Sequence, residues 1–142
     1  MGEYGVVRVT EGELVEVVQL PSKRIELNRL RELANCQSIE IVRTIDPLVD
    51  YLVCDECGKI LDPPKIPNTL ATFFYGGRFE DYIVGDVVFG CSWNSDPEDE
   101  PDFFALPLES AERFAKQLER LKDLIACSRD YDLNDEPEFD PW

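Results

Sequence analysis

A succession of short β-rich segments joined by turns, followed by one long helix, is the feature that most constrains the fold of this chain. Val6–Val9 and Leu14–Leu20 flank turn residues and predict a β-hairpin. Further strands are predicted at residues 38–43, 51–54, 59–61, 82–84, 86–89 and 103–106. Because short turns join most of these strands, we expect an α+β fold built on a mainly antiparallel sheet of about five to seven short strands. A short helix and a longer C-terminal helix are expected to pack on one face of this sheet.

Helical periodicity appears in two longer segments and one shorter one. Residues 25–35 repeat leucines at helical spacing, and residues 109–127 carry a longer apolar stripe. The stripe consists of Ala111, Phe114, Ala115, Leu118, Leu121 and Ile125. A short helix is predicted from Asn68 to Tyr75, with the Asn68 side chain as its N-cap.

Acidic residues outnumber basic ones by 30 to 14, which gives the chain a net charge of −16. The excess is uneven, because residues 95–142 hold fifteen acids and five bases. We expect a single domain over residues 1–127 that includes an acidic loop at 94–102, and a flexible acidic tail over residues 128–142. A field of this sign repels nucleic acid and anionic membranes and attracts basic protein surfaces. The alternative is that the charge serves only solubility.

Several classes of function are excluded by missing residues and motifs. The chain contains no histidine, so Ser-His-Asp catalysis, Cys-His catalysis and imidazole metal ligation cannot occur within it. It has no Walker loop, no glycine-rich dinucleotide fingerprint and no basic stripe for nucleic acid. No segment is apolar for long enough to span a bilayer, and the N-terminus lacks the pattern of a secretory signal. The sequence therefore favours a cytoplasmic protein that contacts neither nucleic acid nor membrane directly.

Two of the five cysteines are spaced as half of a zinc knuckle. Cys54 and Cys57 could supply two of the four ligands of a tetrahedral zinc ion. A second pair at this spacing is missing, so Cys36, Cys91 or Cys127 would have to be gathered by the fold. Alternatively, the pair consists of small apolar residues on a hairpin. We expect no cofactor, with structural zinc at Cys54 and Cys57 as the alternative.

Three short motifs resemble DUF3846, a family of small domains of unknown function that is common on bacteriophages and conjugative elements. They are the turn at Glu56–Lys59, the pair Pro67-Asn68 and the segment Ile83-Val84-Gly85, and the likeness covers roughly residues 5–122. The resemblance implies an α+β domain carried by a mobile element in a bacterial host, and it implies no catalytic residue. The acidic loop, the acidic tail and the two knuckle cysteines depart from the family pattern. Gly85 is expected to mark a bulge or a close backbone approach.

Carboxylates with aromatic neighbours form the candidate binding site. Acids spaced along a surface can imitate a phosphate backbone, and aromatic side chains can anchor in a pocket of a partner. The candidate partner-binding residues are Asp96, Glu98, Asp99, Glu100 and Asp102 in the loop, and Asp130, Asp132, Asp135, Glu136, Glu138, Asp140 and Trp142 in the tail.

The leading hypothesis is a non-enzymatic interaction protein of a phage or mobile element that binds a basic, nucleic-acid-binding surface of a host protein. Its specific form is an inhibitor of a bacterial defence nuclease, which acts by steric block or by nucleic-acid mimicry. One alternative is a small structural zinc protein that uses Cys54 and Cys57. Another is a carboxylate-dependent enzyme, although no carboxylate pair stands out in the sequence.

Overall fold

A computed structural model describes residues 3–46, 49–61, 63–74, 82–93 and 102–134, with side chains described for all of these except 92, 93, 102 and 128–134. The strands are β1 (Tyr4–Val9), β2 (Val15–Leu20), β3 (Ile39–Arg43), β4 (Tyr51–Asp55), β5 (Val87–Trp93), β6 (Asp102–Phe104) and β7 (Leu106–Pro107). The helices are α1 (Leu27–Leu33), α2 (Thr69–Phe73) and α3 (Leu108–Asn134).

The strands form one antiparallel sheet in the order β2-β1-β5-β4-β3. Two short strands extend it, because β6 pairs with the end of β5 and β7 pairs with the start of β1. The hairpins β1–β2 and β3–β4 join neighbours in sequence, whereas β5 inserts between β1 and β4. The predicted α+β class with a mainly antiparallel sheet is confirmed.

Alternation along the strands gives the sheet two apolar faces. The first face carries Val7, Val9, Leu52 and Phe89, and it packs under Ala111, Phe114 and Leu118 of α3 and Leu70 of α2. The second face carries Val6, Val53 and Val88, and it packs under Leu30, Leu33 and Ala34 at α1. α2 and α3 share the first face, as predicted for the short helix and the C-terminal helix, whereas α1 covers the second face. The reason is that β1, β4 and β5 are apolar at consecutive positions, so both of their faces need a cover.

The long helix α3 continues to Asn134, beyond its predicted end at Cys127. No glycine or proline interrupts the chain before Pro137, so nothing in the backbone forces an earlier stop. Residues 135–142 of the predicted tail lie outside the described residues, and their flexibility stays a prediction.

Two predicted strands are absent from the described part of the sheet. Residues 59–61 form turns and a bend rather than a strand, and β5 begins only at Val87. Val84 makes a single isolated bridge with Pro67. Gly85, which follows it, adopts φ of +78°, and this left-handed backbone ends the extended stretch before β5 begins.

Candidate functional site

Within the described residues, the second face of the sheet is only partly covered, because α1 is short. Seven helical residues extend ~10 Å, whereas five strands side by side extend ~19 Å. On the first face, the 27 residues of α3 leave no comparable gap in the described structure. The short cover leaves a groove beside α1, which we call the α1 groove.

The α1 groove has a volume of about 1080 Å³, which reaches the upper size range of ligand pockets in proteins. Its apolar lining comes from β2, β3, β6 and α1, and consists of Leu20, Ile25, Leu27, Leu30, Ile39, Ile41 and Phe103. Pro21, Ser22, Arg24, Glu26 and Arg29 complete the wall. A concave apolar floor with a few charged groups at the rim is the usual form of a binding site.

The charged side chains that line the α1 groove are Arg24, Arg29 and Glu26. Arg29 forms an ion pair of 3.0 Å with Glu32 on the outside of α1. The exposed Arg24 guanidinium makes no ion pair or side-chain hydrogen bond within the described part of the chain. Glu26 is the single acid in the lining. The groove therefore suits a ligand that is both apolar and anionic.

Gly90 explains how Phe103 reaches the groove wall. A Cβ atom at Gly90 would lie 2.7 Å from the Phe103 ring and 2.7 Å from the Phe104 carbonyl oxygen. The missing side chain lets β6 approach β5 so closely that Phe103 is 97% buried against the second face. The wall is consequently fixed by the sheet itself and not by a mobile side chain.

A second cluster of polar residues is centred on Arg8 of β1. The Arg8 guanidinium donates to Asp86 at 2.8 Å and to Glu16 at 2.7 Å, and its Nε donates to the Leu33 carbonyl at 2.7 Å. Asp86 also accepts from the Glu11 backbone N–H at 3.0 Å. These bonds tie β1, β2, the segment before β5 and the end of α1 together, so Arg8 acts as a structural clamp.

Lys65 forms a similar clamp beside the family-like motifs. Its ammonium group pairs with Asp55 at 2.8 Å and donates to the Asn35 carbonyl at 2.7 Å. A Cβ atom at Gly85 would lie 2.7 Å from Lys65 Cδ, and the predicted close backbone approach is made by the Gly85 N–H, which donates to the Ile66 carbonyl at 2.8 Å. Asp55 and Asp86 are thus sheltered but engaged with cations, and neither stands free for acid–base chemistry.

Asn68 is completely buried and serves more than the predicted N-cap. Its Oδ1 accepts the Ala71 backbone N–H at 3.1 Å and so caps α2. Its Nδ2 donates to the Val9 carbonyl at 3.0 Å and to the Gly85 carbonyl at 2.9 Å. The cap is confirmed, and the bonds to β1 and to the segment before β5 are the part that sequence reasoning missed.

The predicted partner-binding residues all lie beyond the described side chains. Asp102 lies on β6, and Asp130 and Asp132 lie on α3, with their side chains undescribed. The others lie outside the described residues, and they are Asp96, Glu98, Asp99, Glu100, Asp135, Glu136, Glu138, Asp140 and Trp142. The acidic loop joins Trp93 to Asp102, which are register partners in the β5–β6 hairpin. The loop is therefore attached at both ends to neighbouring strands.

The knuckle cysteines sit in unequal surroundings. Cys54 is buried on β4, where desolvation, followed by the negative charge of Glu40, raises the pKa of its thiol to about 12. Cys57 lies half-buried in the turn that follows. Among the described residues, no three cysteine, aspartate or glutamate side chains are grouped so that they could hold a metal ion. The burial of Cys54 favours the interpretation of an apolar core residue over that of a thiolate ligand.

Comparisons with known proteins identify a family but no activity. A family model described as domain of unknown function (DUF3846) matches residues 4–119. Searches of curated proteins and of solved structures found no match. Among the described helices, none combines the length and apolar character needed to cross a bilayer.

Proposed function

The chain belongs to the DUF3846 family, and we propose that it is a non-enzymatic interaction protein that binds a basic, nucleic-acid-binding surface of a host protein. The observation that carries the proposal is the segregation of its negative charge. Residues 95–102 contain five acids and no base, and residues 128–142 contain six acids and one base. A patch of this kind speeds association with a cationic surface, and added salt weakens that association.

The helix between these two segments supports the proposal because its charges cancel. Residues 108–127 carry the acids Glu109, Glu112, Glu119 and Asp123 and the bases Arg113, Lys116, Arg120 and Lys122. Charge added only for solubility would be spread over every exposed surface, including this helix. The concentration of the negative charge in residues 95–102 and 128–142 favours a binding role.

The attachment of the acidic loop supports nucleic-acid mimicry. The register pair Trp93 and Asp102 sets the spacing of the two ends of the loop, and the buried Phe103 anchors one of them. A loop held at both ends loses less conformational entropy on binding than a free chain does. The specific form of the proposal is an inhibitor that competes with DNA or RNA for the groove of a defence nuclease of the host.

The test is capture of partners from bacterial host lysate on the immobilised full chain, at low and at high salt, followed by mass spectrometry. We expect one nucleic-acid-binding protein that is released by salt and displaced by added DNA or RNA. With that protein purified, the chain should compete with its nucleic acid in a mobility-shift assay. Binding that ignores salt, or binding beside bound nucleic acid without competition, contradicts the proposal.

Two variants with equal charge change make the test specific. The loop variant combines Asp96→Asn, Glu98→Gln, Asp99→Asn and Glu100→Gln. The helix variant combines Glu109→Gln, Glu112→Gln, Glu119→Gln and Asp123→Asn, all of which are exposed on α3. We expect the loop variant to associate with the partner about tenfold more slowly, since steering depends on the local field. The helix variant should keep a rate near that of the unmodified chain, and equal losses in both variants would reduce the effect to net charge.

A further inference from the structure

We propose that the α1 groove binds the segment that follows α3, residues 135–142, from a second copy of the chain. This inference does not rest on the proposed function, because it requires no host partner. The segment reads Asp-Glu-Pro-Glu-Phe-Asp-Pro-Trp and combines four acids with two aromatic side chains. It is therefore both anionic and apolar, which is the chemistry that the α1 groove suits.

The lining of the α1 groove matches the side chains of the segment. The floor of the groove is built from aliphatic side chains and the Phe103 ring, which can receive Phe139 and Trp142. Arg24 stands at the rim, where a carboxylate beside Phe139 can pair with it, and Arg29 lies beside it in its ion pair with Glu32. Pro137 and Pro141 have no backbone N–H to donate, and each disfavours helix at the residue before it.

The position of α3 excludes binding of the segment to the groove of its own chain. α3 begins at the Tyr4 end of β1, where the Leu108 N–H donates to the Glu3 carbonyl at 3.0 Å. It leaves the sheet near the turn between β1 and β2, because Lys122 and Ile125 line a small cavity with Glu13. The α1 groove opens at the Tyr4 end of the sheet, where Leu20 is the register partner of Tyr4. It also lies on the face of the sheet opposite to α3.

Distances make this exclusion quantitative. β2 separates the two ends of the sheet by ~17 Å, and α3 extends ~12 Å further from Ala126 to Asn134. A path from Asn134 to the groove must cover at least the sum of these two distances, ~29 Å, and must also pass around the edge of the sheet. Phe139, five residues beyond Asn134, reaches at most ~18 Å, and Trp142, eight residues beyond, reaches at most ~29 Å, which leaves no length to pass around the edge. The segment therefore binds in trans, and each copy both offers a segment and accepts one.

The first measurement is the mass of the full chain by sedimentation equilibrium at ~0.15 M salt, where charges more than ~8 Å apart are largely screened. We expect the mass to rise above 16.3 kDa as the concentration increases. A mass that stays at 16.3 kDa at ~1 mM protein, which would reveal even a millimolar Kd, overturns the proposal.

Complementation identifies the two surfaces. The groove variant carries Arg24→Glu and Arg29→Glu, and the segment variant carries Phe139→Ser and Trp142→Ser. Each variant alone should be monomeric, because it lacks one half of every contact. A mixture should form a one-to-one dimer, since one intact segment still meets one intact groove. Because the segment variant supplies the intact groove, recovery of the dimer also reports that this variant is folded.

A matched control separates the groove from net charge. Arg113→Glu and Lys116→Glu change the charge equally at exposed positions on α3, and this variant should associate like the unmodified chain. Loss of association in this control, or a mixture of the groove and segment variants that stays monomeric, assigns any self-association to another cause and overturns the proposal.

Discussion

Asn68 holds three parts of the chain together through one buried side chain. It caps α2, and it bridges the end of β1 to the backbone at Gly85. If the Asn68 amide is removed, each of these backbone groups loses this hydrogen bond. Water does not reach the site to replace it, since Asn68 is 0% exposed. We therefore expect Asn68→Ala to lower the free energy of unfolding by about 3 kcal/mol, measured by urea denaturation.

The matched control for that variant is Asn28→Ala. Asn28 accepts a hydrogen bond of 3.2 Å from Arg31 on the exposed side of α1, where water can replace it. Its loss should change the free energy of unfolding by less than about 0.5 kcal/mol. Equal effects of the two variants would mean that burial of Asn68 does not matter.

Cys54 makes stability depend on pH in the alkaline range. Burial raises the pKa of its thiol from 9.0 to about 12 in the folded chain. As pH rises between these values, the unfolded chain loses the proton and the folded chain keeps it. The folded state then binds more protons, so stability falls as pH rises.

We expect the unmodified chain to lose about 2 kcal/mol more than Cys54→Val between about pH 8 and about pH 10.5, because one pKa unit corresponds to ~1.4 kcal/mol. Urea denaturation at a series of pH values measures the difference. Cys127→Ser, at an exposed site on α3, should retain the slope of the unmodified chain. Parallel curves for the unmodified chain and Cys54→Val would contradict a buried, neutral thiol.

The same buried thiol argues against structural zinc. A zinc ligand must be a thiolate, and the surroundings of Cys54 oppose its ionisation. We expect protein purified without chelator to contain less than about a tenth of an equivalent of zinc, because a structural site would be nearly filled. Stoichiometric zinc that is lost from Cys54→Ser would restore the zinc hypothesis.

At the scale of elements, α3 closes the first face of the sheet through an aromatic cluster. The Phe114 ring lies 5.1 Å from Phe89 and 5.5 Å from Phe74, both edge to face. Phe114→Ala removes this packing and leaves a cavity, so we expect a loss of about 4 kcal/mol in the free energy of unfolding. On the same helix, Leu124 is 68% exposed, and Leu124→Ala should cost less than about 0.5 kcal/mol. Chemical denaturation of both variants tests the contrast.

The elements show what a sequence can reveal. The hairpin β1–β2 and the apolar stripe of α3 follow from periodicity within one segment, and both predictions are confirmed. The face that α1 covers depends on where β5 inserts, which no local pattern encodes. The pair Arg8–Asp86 joins residues 78 positions apart, so its existence could not be predicted either.

The α1 groove was missed for the same reason. Its lining comes from four elements spread between residue 20 and residue 103, and no local pattern shows that α1 alone covers the second face. The predicted helix over residues 25–35 was also too long, since α1 has seven residues and only two turns. A helix of that length cannot cover a sheet of five strands. The acidic loop and tail, by contrast, were visible from composition alone, and their role stays a prediction.

For the whole molecule, a net charge of −16 on 142 residues means that the folded state repels itself. Raising the ionic strength from ~0.01 M to ~0.15 M shortens the Debye length from ~30 Å to ~8 Å and screens this repulsion. We expect the free energy of unfolding to increase by about 1 kcal/mol over this range, measured by urea denaturation. The gain should shrink in the loop variant defined above.

The loop variant also separates a binding role of the acidic loop from a solubility role. If the charge serves solubility, the variant should precipitate at lower protein concentration and still bind the captured partner at an unchanged rate. If the charge serves binding, solubility should hold while association slows, because the rest of the chain retains ample negative charge. Solubility and association rate measured on the same preparation decide between these outcomes. If the chain is also less stable at low salt, as predicted above, a slowed association gives the functional reason for keeping a charge that destabilises the fold.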